Sequence, residues 1–252
     1  MKTINLNLRT PDRYEIKEAF KTLKTNVLFS GSDIKTITIT SSGQNEGKSF
    51  VSMELAKSLA ESGKKVLLID ADLRKSVIVE KYVSGNDIIG LSHYLSGQAE
   101  SDEVIYETQF SGFHIVFSGP YPPNPVELLG SNRFSEMLEH YRSVFDFVII
   151  DTPPLGLVID AAVTAAQCDG VILNVGANHT NHRTLQRIKS QLTRSGCRLI
   201  GAVLNMAEST GHNYKSYLLG YRSYYSKPYG NHEQSGTYEQ KQYAKLKNND
   251  NK

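Results

Sequence analysis

The stretch that most constrains this chain is Ser41-Ser42-Gly43-Gln44-Asn45-Glu46-Gly47-Lys48-Ser49, set between an apolar β-branched run and an amphipathic helix. Upstream, Ile34, Ile37 and Ile39 stand among threonines, so 34–40 is expected as a strand. Downstream, Phe50, Val51, Leu55 and Leu59 fall near helical spacing, which predicts a helix to about Ser62 with Gly63 as its C-cap. A loop that ends where a helix begins aims unpaired backbone N–H groups outward, and that arrangement suits phosphate. Gly47 lets backbone approach phosphate, Lys48 reaches the β and γ oxygens, and the Ser49 hydroxyl can ligate Mg2+. The strict pattern G-x-x-x-x-G-K-[ST] wants glycine at position 42, where this chain has serine, and Gly43 lies one place later. Nucleotide contacts are expected from Gly43, Gln44, Asn45, Glu46, Gly47, Lys48, Ser49 and Phe50, with ATP and Mg2+ as cofactors.

Two further strands carry acids to the same place. Lys65 to Ile69 is apolar after its first residue, as a parallel strand buried on both faces should be, and it runs into Asp70-Ala71-Asp72-Leu73-Arg74-Lys75. Carboxylates at a strand's C-terminal end stand where open α/β sheets bind their ligands. Phe147 to Ile150 repeats the pattern and delivers Asp151 before Thr152-Pro153-Pro154, an element resembling a Walker B motif, whose acid holds Mg2+ directly or through water. Val171 to Val175, a helix near Thr184 to Ser195 and a strand from Arg198 to Asn205 complete the alternation. Asn205 reads equally as an adenine contact or a turn-forming amide. The expected fold is α/β: a P-loop NTPase with a mostly parallel sheet flanked by helices.

The remaining segments are more plainly structural. Residues 1–12 read as a polar leader, followed by a helix capped by Asp12 with an apolar stripe at Ile16, Phe20, Leu23 and Val27. Glu18, Lys21 and Lys24 share its opposite face, as a solvated ion pair or as an interface. Residues 76–112 are expected as a peripheral insertion with a short helix near Leu91 to Leu95. Phe113 to Phe117 is a short apolar run. Asn124, Pro125 and Glu127 announce a helix reaching about Arg142. His179 and His182 lack the companions of a metal site, and Cys168 and Cys197 read as reduced thiols. The formal charge of +2 implies no nucleic-acid footprint. No apolar run approaches bilayer length, so membrane association is expected only through a partner.

After Met206 the apolar periodicity stops. Eight of the chain's 14 tyrosines lie beyond it: Tyr214, Tyr217, Tyr221, Tyr224, Tyr225, Tyr229, Tyr238 and Tyr243. A segment so poor in Leu, Ile and Val is expected to be flexible, with an end-to-end span of roughly 35–40 Å by random-coil scaling. Two readings are open, a sticky aromatic linker or a set of phosphate acceptors, and the neighbouring Mg-nucleotide motifs favour acceptors. The expected organisation is an N-terminal helical extension over 1–33, a P-loop domain over 34–206 and a tyrosine-rich tail over 207–252.

Taken together, these motifs resemble the bacterial protein-tyrosine kinases of capsule and exopolysaccharide synthesis, in the stand-alone cytoplasmic form of Gram-positive bacteria. The resemblance covers nearly the whole chain, and it implies phosphoryl transfer from ATP to tail tyrosines. In that scheme Lys48 and Mg2+ neutralise charge, Ser49, Asp70 and Asp151 organise the metal, Arg74 belongs to the catalytic set, and Asp72 takes the tyrosine proton. The Asp-x-Asp-x-Arg and Asp-Thr-Pro-Pro elements match in order, and no H-R-D or D-F-G pattern of the eukaryotic kinases occurs. The family's Glu-x-x-Arg-x-x-Arg ring motif reads Glu18-x-x-Lys21-x-x-Lys24 here, which keeps the charge but loses the guanidinium fork. Gln44-Asn45 stands where the family often has Pro-Gly. The resemblance further implies a transmembrane chain-length regulator as activating partner and a place at the inner face of the membrane through it. Two rivals are an ATP-driven partitioning or septum-site switch, whose signature lysine is replaced by Gly43, and a nucleotide-binding scaffold in polysaccharide export.

Overall fold

The computed structural model describes residues 2–8, 13–83 and 88–207. Its elements in order are β1 (Lys2–Ile4), α1 (Tyr14–Leu28), β2 (Thr36–Ser41), α2 (Lys48–Ala60), β3 (Val66–Asp70), α3 (Ile78–Tyr82), α4 (Leu91–Leu95) and β4 (Ile105–Thr108). They continue with β5 (Phe113–Val116), α5 (Pro125–Leu129), α6 (Asn132–Val144), β6 (Phe147–Asp151), α7 (Asp160–Ala165), β7 (Gly170–Gly176), α8 (His182–Arg194) and β8 (Leu199–Asn205). The strands form one sheet in the order β1-β4-β5-β3-β6-β2-β7-β8, parallel throughout except between β4 and β5.

The strand order decides where the chemistry goes. β6 lies between β3 and β2, and every residue of these three strands is buried. A parallel strand covered by helices on both faces has no solvent side, which is why all three read as near-continuous apolar or threonine runs. Their shared direction puts three C-terminal ends side by side, with Asp70 opposite Asp151 and Ile39 opposite Asp151 in register. The ends are tied across strands: Ala71 N donates to Asp151 O at 2.8 Å, Thr152 N to Ile39 O at 3.1 Å and Leu155 N to Ser41 O at 2.9 Å.

The core lies on both sides of this sheet. Ile37, Ile39, Leu55, Leu59, Leu68 and Ile149 pack on one side, while Leu67, Ile69, Phe134, Leu138, Val148 and Ile150 pack on the other. Helix α1 lays its stripe on α2, where the Phe20 ring meets the Phe50 ring edge-on at 5.6 Å. With β1 paired to β4 and α1 packed on α2, residues up to Ala207 form one unit.

Four expectations need correction. The leader contains β1, which pairs with β4 at the sheet edge. The 76–112 insertion supplies α3 and β4 as well as α4. The single helix from Asn124 to Arg142 is two, because the chain breaks at Gly130-Ser131 and Ser131 caps α6 by accepting from Phe134 N. Arg13, without a side-chain cap bond, stands at the N-cap of α1, and Asp12 lies outside the described residues. Among the described residues no helix is long and apolar enough to cross a membrane. The tail tyrosines all lie outside the described residues.

Candidate active site

The P-loop joins β2 to α2, and two of its residues adopt left-handed backbone. Gly47 has φ 80° and serves as N-cap of α2, while Asn45 has φ 60°. Asparagine tolerates this region better than most side-chain-bearing residues, so Asn45 can take it without glycine. Glu46 holds the loop in place although it is almost wholly buried. Its carboxylate accepts from the Ser42 hydroxyl, from Thr180 Oγ1 at 2.8 Å and from Gly176 N at 3.2 Å. Its backbone carbonyl accepts from Asn174 Nδ2 at 2.8 Å and Asn205 Nδ2 at 3.0 Å. Glu46 therefore anchors the loop to the ends of β7 and β8.

Asn205 is thereby committed to structure on both sides of its amide, since its Oδ1 also accepts from Met206 N at 2.9 Å. This places Asn205 as a brace against the loop. Phe50, Gln44 and Gly43 line the cleft above Lys48, together with Pro153, Pro154 and Tyr82.

Lys48 is the electrostatic centre. Its ammonium lies 3.3 Å from Asp72 Oδ2, 3.5 Å from Asp151 Oδ2 and 3.3 Å from Ser49 Oγ. Burial alone would discharge it, but the carboxylates of Asp151, Asp72 and Asp70 outweigh burial and hold it above the ordinary lysine value. Asp70, fully buried, is pushed up to about 7 by burial and then by the neighbouring Asp151 charge, against the pull of the Ser76 hydroxyl and Lys48. Burial also raises Asp151, opposed by Lys48, Ser49 and by Ser52, whose hydroxyl donates to it at 3.0 Å. Asp72 is fixed by accepting from Lys75 N at 3.0 Å. Arg74 turns away from this cluster and forks onto Asp160, with Nε to Oδ1 at 2.8 Å and Nη2 to Oδ2 at 3.2 Å. It therefore braces the turn after β3 against α7, while its flank still lines the cleft.

Ser49, Asp70, Asp72 and Asp151 offer only hard oxygen donors beside a phosphate-binding loop, which fits Mg2+. Among the described residues no three His, Cys, Asp or Glu side chains form a closed cage. Mg2+ characteristically keeps several waters and takes most of its other ligands from substrate phosphates. The near-neutral Asp70 gives a prediction. Mg2+ needs the ionised carboxylate, so affinity for Mg-ADP should fall by up to about tenfold per pH unit below pH 7, and Asp70→Asn should flatten that dependence. Calorimetric titrations from pH 5.5 to 8 measure it; an unchanged slope in the variant would remove Asp70 from the metal site. The sign for stability is opposite. A raised carboxyl stabilises the nucleotide-free fold below its ordinary value, and that contribution is lost as pH rises towards 7.

Sequence reasoning brought together the loop, Asp70, Asp72 and Asp151. It missed the anchoring role of Glu46 and the part of Asp160, because their partners lie far along the chain and leave no local signature. The ring-motif face stands apart on α1, where Lys21 Nζ meets Glu18 Oε1 at 2.7 Å in the open.

A family model described as an AAA domain matches residues 34–195. Tyrosine-protein kinase CpsD of Streptococcus agalactiae is 40% identical over 217 residues, covering 86% of this chain and 94% of the relative. This chain belongs to the bacterial protein-tyrosine kinases of capsule and exopolysaccharide synthesis. Among solved structures, the chimerical protein CapA2B2 superposes with a TM-score of 0.74 at 29% identity, covering 83% of this chain and 95% of that one. The kinase domain of Escherichia coli tyrosine kinase ETK gives 0.72 at 32% identity, covering 86% and 80%. The septum site-determining protein MinD from Pyrococcus horikoshii, complexed with Mg-ADP, reaches only 0.56 at 25% identity, covering 68% and 70%. The septum-site switch is thus the less favoured reading of the same fold, and the Mg-ADP complex of that protein shows a magnesium nucleotide bound on this fold there.

Proposed function

We propose that this kinase transfers the γ-phosphoryl group of Mg-ATP to tyrosines 214, 217, 221, 224, 225 and 229 of a neighbouring copy. The observation that carries this reading is the convergence of Lys48 with Asp72 and Asp151 at the ends of adjacent strands, beside an open cleft. Lys48 meets the β and γ oxygens and neutralises charge as the phosphoryl group moves. The bound Mg2+, held through Ser49, Asp70 and Asp151, would supply Lewis-acid stabilisation of the phosphate oxygens. Asp72 faces the cleft and is placed to accept the proton of the incoming tyrosine hydroxyl. Mass spectrometry of the full chain after incubation with Mg-ATP and its activator should find phosphate on these tyrosines. ATP consumed with no modified tyrosine would instead favour the switch reading.

The activating partner in this proposal is a transmembrane polysaccharide chain-length regulator, which would hold the kinase at the inner face of the membrane. Self-association, in a ring, uses the face of Glu18, Lys21 and Lys24. Reversing those three charges should lower the mass measured by light scattering to that of smaller species; an unchanged mass would move the interface elsewhere.

A further inference from the structure

Between Asp169 and Glu208 the chain contains no acidic residue and five arginines or lysines. Four of these, Arg183, Arg187, Lys189 and Arg194, lie exposed on α8 and take part in no ion pair among the described residues, whereas Arg198 pairs with Asp33 at 2.9 Å. At 100° per residue, Arg183, Arg187 and Arg194 fall within about 40° of one another, opposite the buried Ile188 and Leu192. A groove runs along this stripe, lined by Arg187, Ser190, Gln191, Arg194 and Ser195. Two guanidinium forks flanking hydroxyl and amide groups match the oxygens of a phosphate monoester. No exposed apolar side chain accompanies them, so the face is not built to insert into lipid.

We propose that the arginine stripe of α8 is a docking site for phosphotyrosine, and that its occupant is a multiply phosphorylated copy of segment 214–229 from another chain. This rests on the reading of the tail as phosphate acceptor. Segment 214–229 contains Lys215, Arg222 and Lys227, six tyrosines and no acid. Unmodified, it is repelled by the stripe. Each phosphate adds about −1.5 to −2 charges, so two bring the segment to about neutrality and three or more make it anionic. The site therefore counts phosphates: it ignores fresh substrate and captures finished product.

The test uses synthetic peptides of residues 214–229 with no, two or four phosphotyrosines and the full-length, unphosphorylated protein. The four-phosphate peptide should bind at least tenfold more tightly than the unmodified one, and R187S/R194S should abolish that difference while leaving ADP binding unchanged. Equal binding of all peptides, or full retention by the double variant, would overturn the proposal. So would arginine-dependent binding to phosphatidylglycerol vesicles without phosphopeptide binding, which would assign the face to a membrane. Because the peptides are made chemically, failure of the kinase to modify its own tail leaves this result intact.

Discussion

Replacing Lys48 by methionine should lower tail phosphorylation by at least about 10^3-fold, measured as phosphotyrosine per chain over time, while leaving the protein folded. The lysine supplies the only cation within hydrogen-bond reach of Asp72 and Asp151 among the described residues, and phosphoryl transfer depends on positioned charge more than on covalent chemistry. Breaking a buried ion pair ordinarily costs about 3–5 kcal/mol because an unpaired charge remains. Here the cost is reduced, since Asp70, already near 7, can take up a proton and neutralise part of the cluster. The variant should accordingly unfold at a lower temperature above pH 7 than below pH 6. Retained phosphorylation in a folded variant would remove Lys48 from the chemistry.

Gly47→Ala should be nearly as damaging to nucleotide binding, weakening it about 100-fold or more in a fluorescent-ADP titration. Two causes act together. The backbone there is left-handed, which costs a residue with a Cβ about 1–2 kcal/mol. The added carbon would also stand 2.3 Å from Asn205 Nδ2, so Asn205 must swing away and give up its bond to the Glu46 carbonyl. Adding Asn205→Ala should relieve the clash but not the backbone strain, and so recover only part of the affinity. Wild-type affinity in Gly47→Ala would contradict this loop geometry.

What could be read from the chain depended on whether a residue's partner was local. β3 and β6 were legible because a strand buried on both faces must be continuously apolar and because a charge marks its end at Asp70 and Asp151. β1 and β4 were not, since strands of three and four residues are too short to establish a period. The division between α5 and α6 was marked by Gly130-Ser131, a C-cap and an N-cap that the stronger start signal at Asn124 overshadowed, and the capping bond from Phe134 N establishes it. In the site, the loop and its three acids were legible because each ends a strand or follows one within two residues. Glu46 reaches Gly176, 130 residues away, and Arg74 reaches Asp160, 86 away, contacts that only the fold creates. Asn205 was open between base contact and structural amide, and its two hydrogen bonds give it a bracing place.

Transfer between chains is tested most directly by mixing. Wild-type protein would be combined with isotopically heavy, full-length Lys48→Met protein, Mg-ATP and the activator, and phosphotyrosine read in each isotopic form. Phosphate on tail tyrosines of the heavy chain, which lacks its own essential lysine, is the predicted result. Phosphotyrosine confined to the light chain, or absent from both while ATP is consumed, would contradict it.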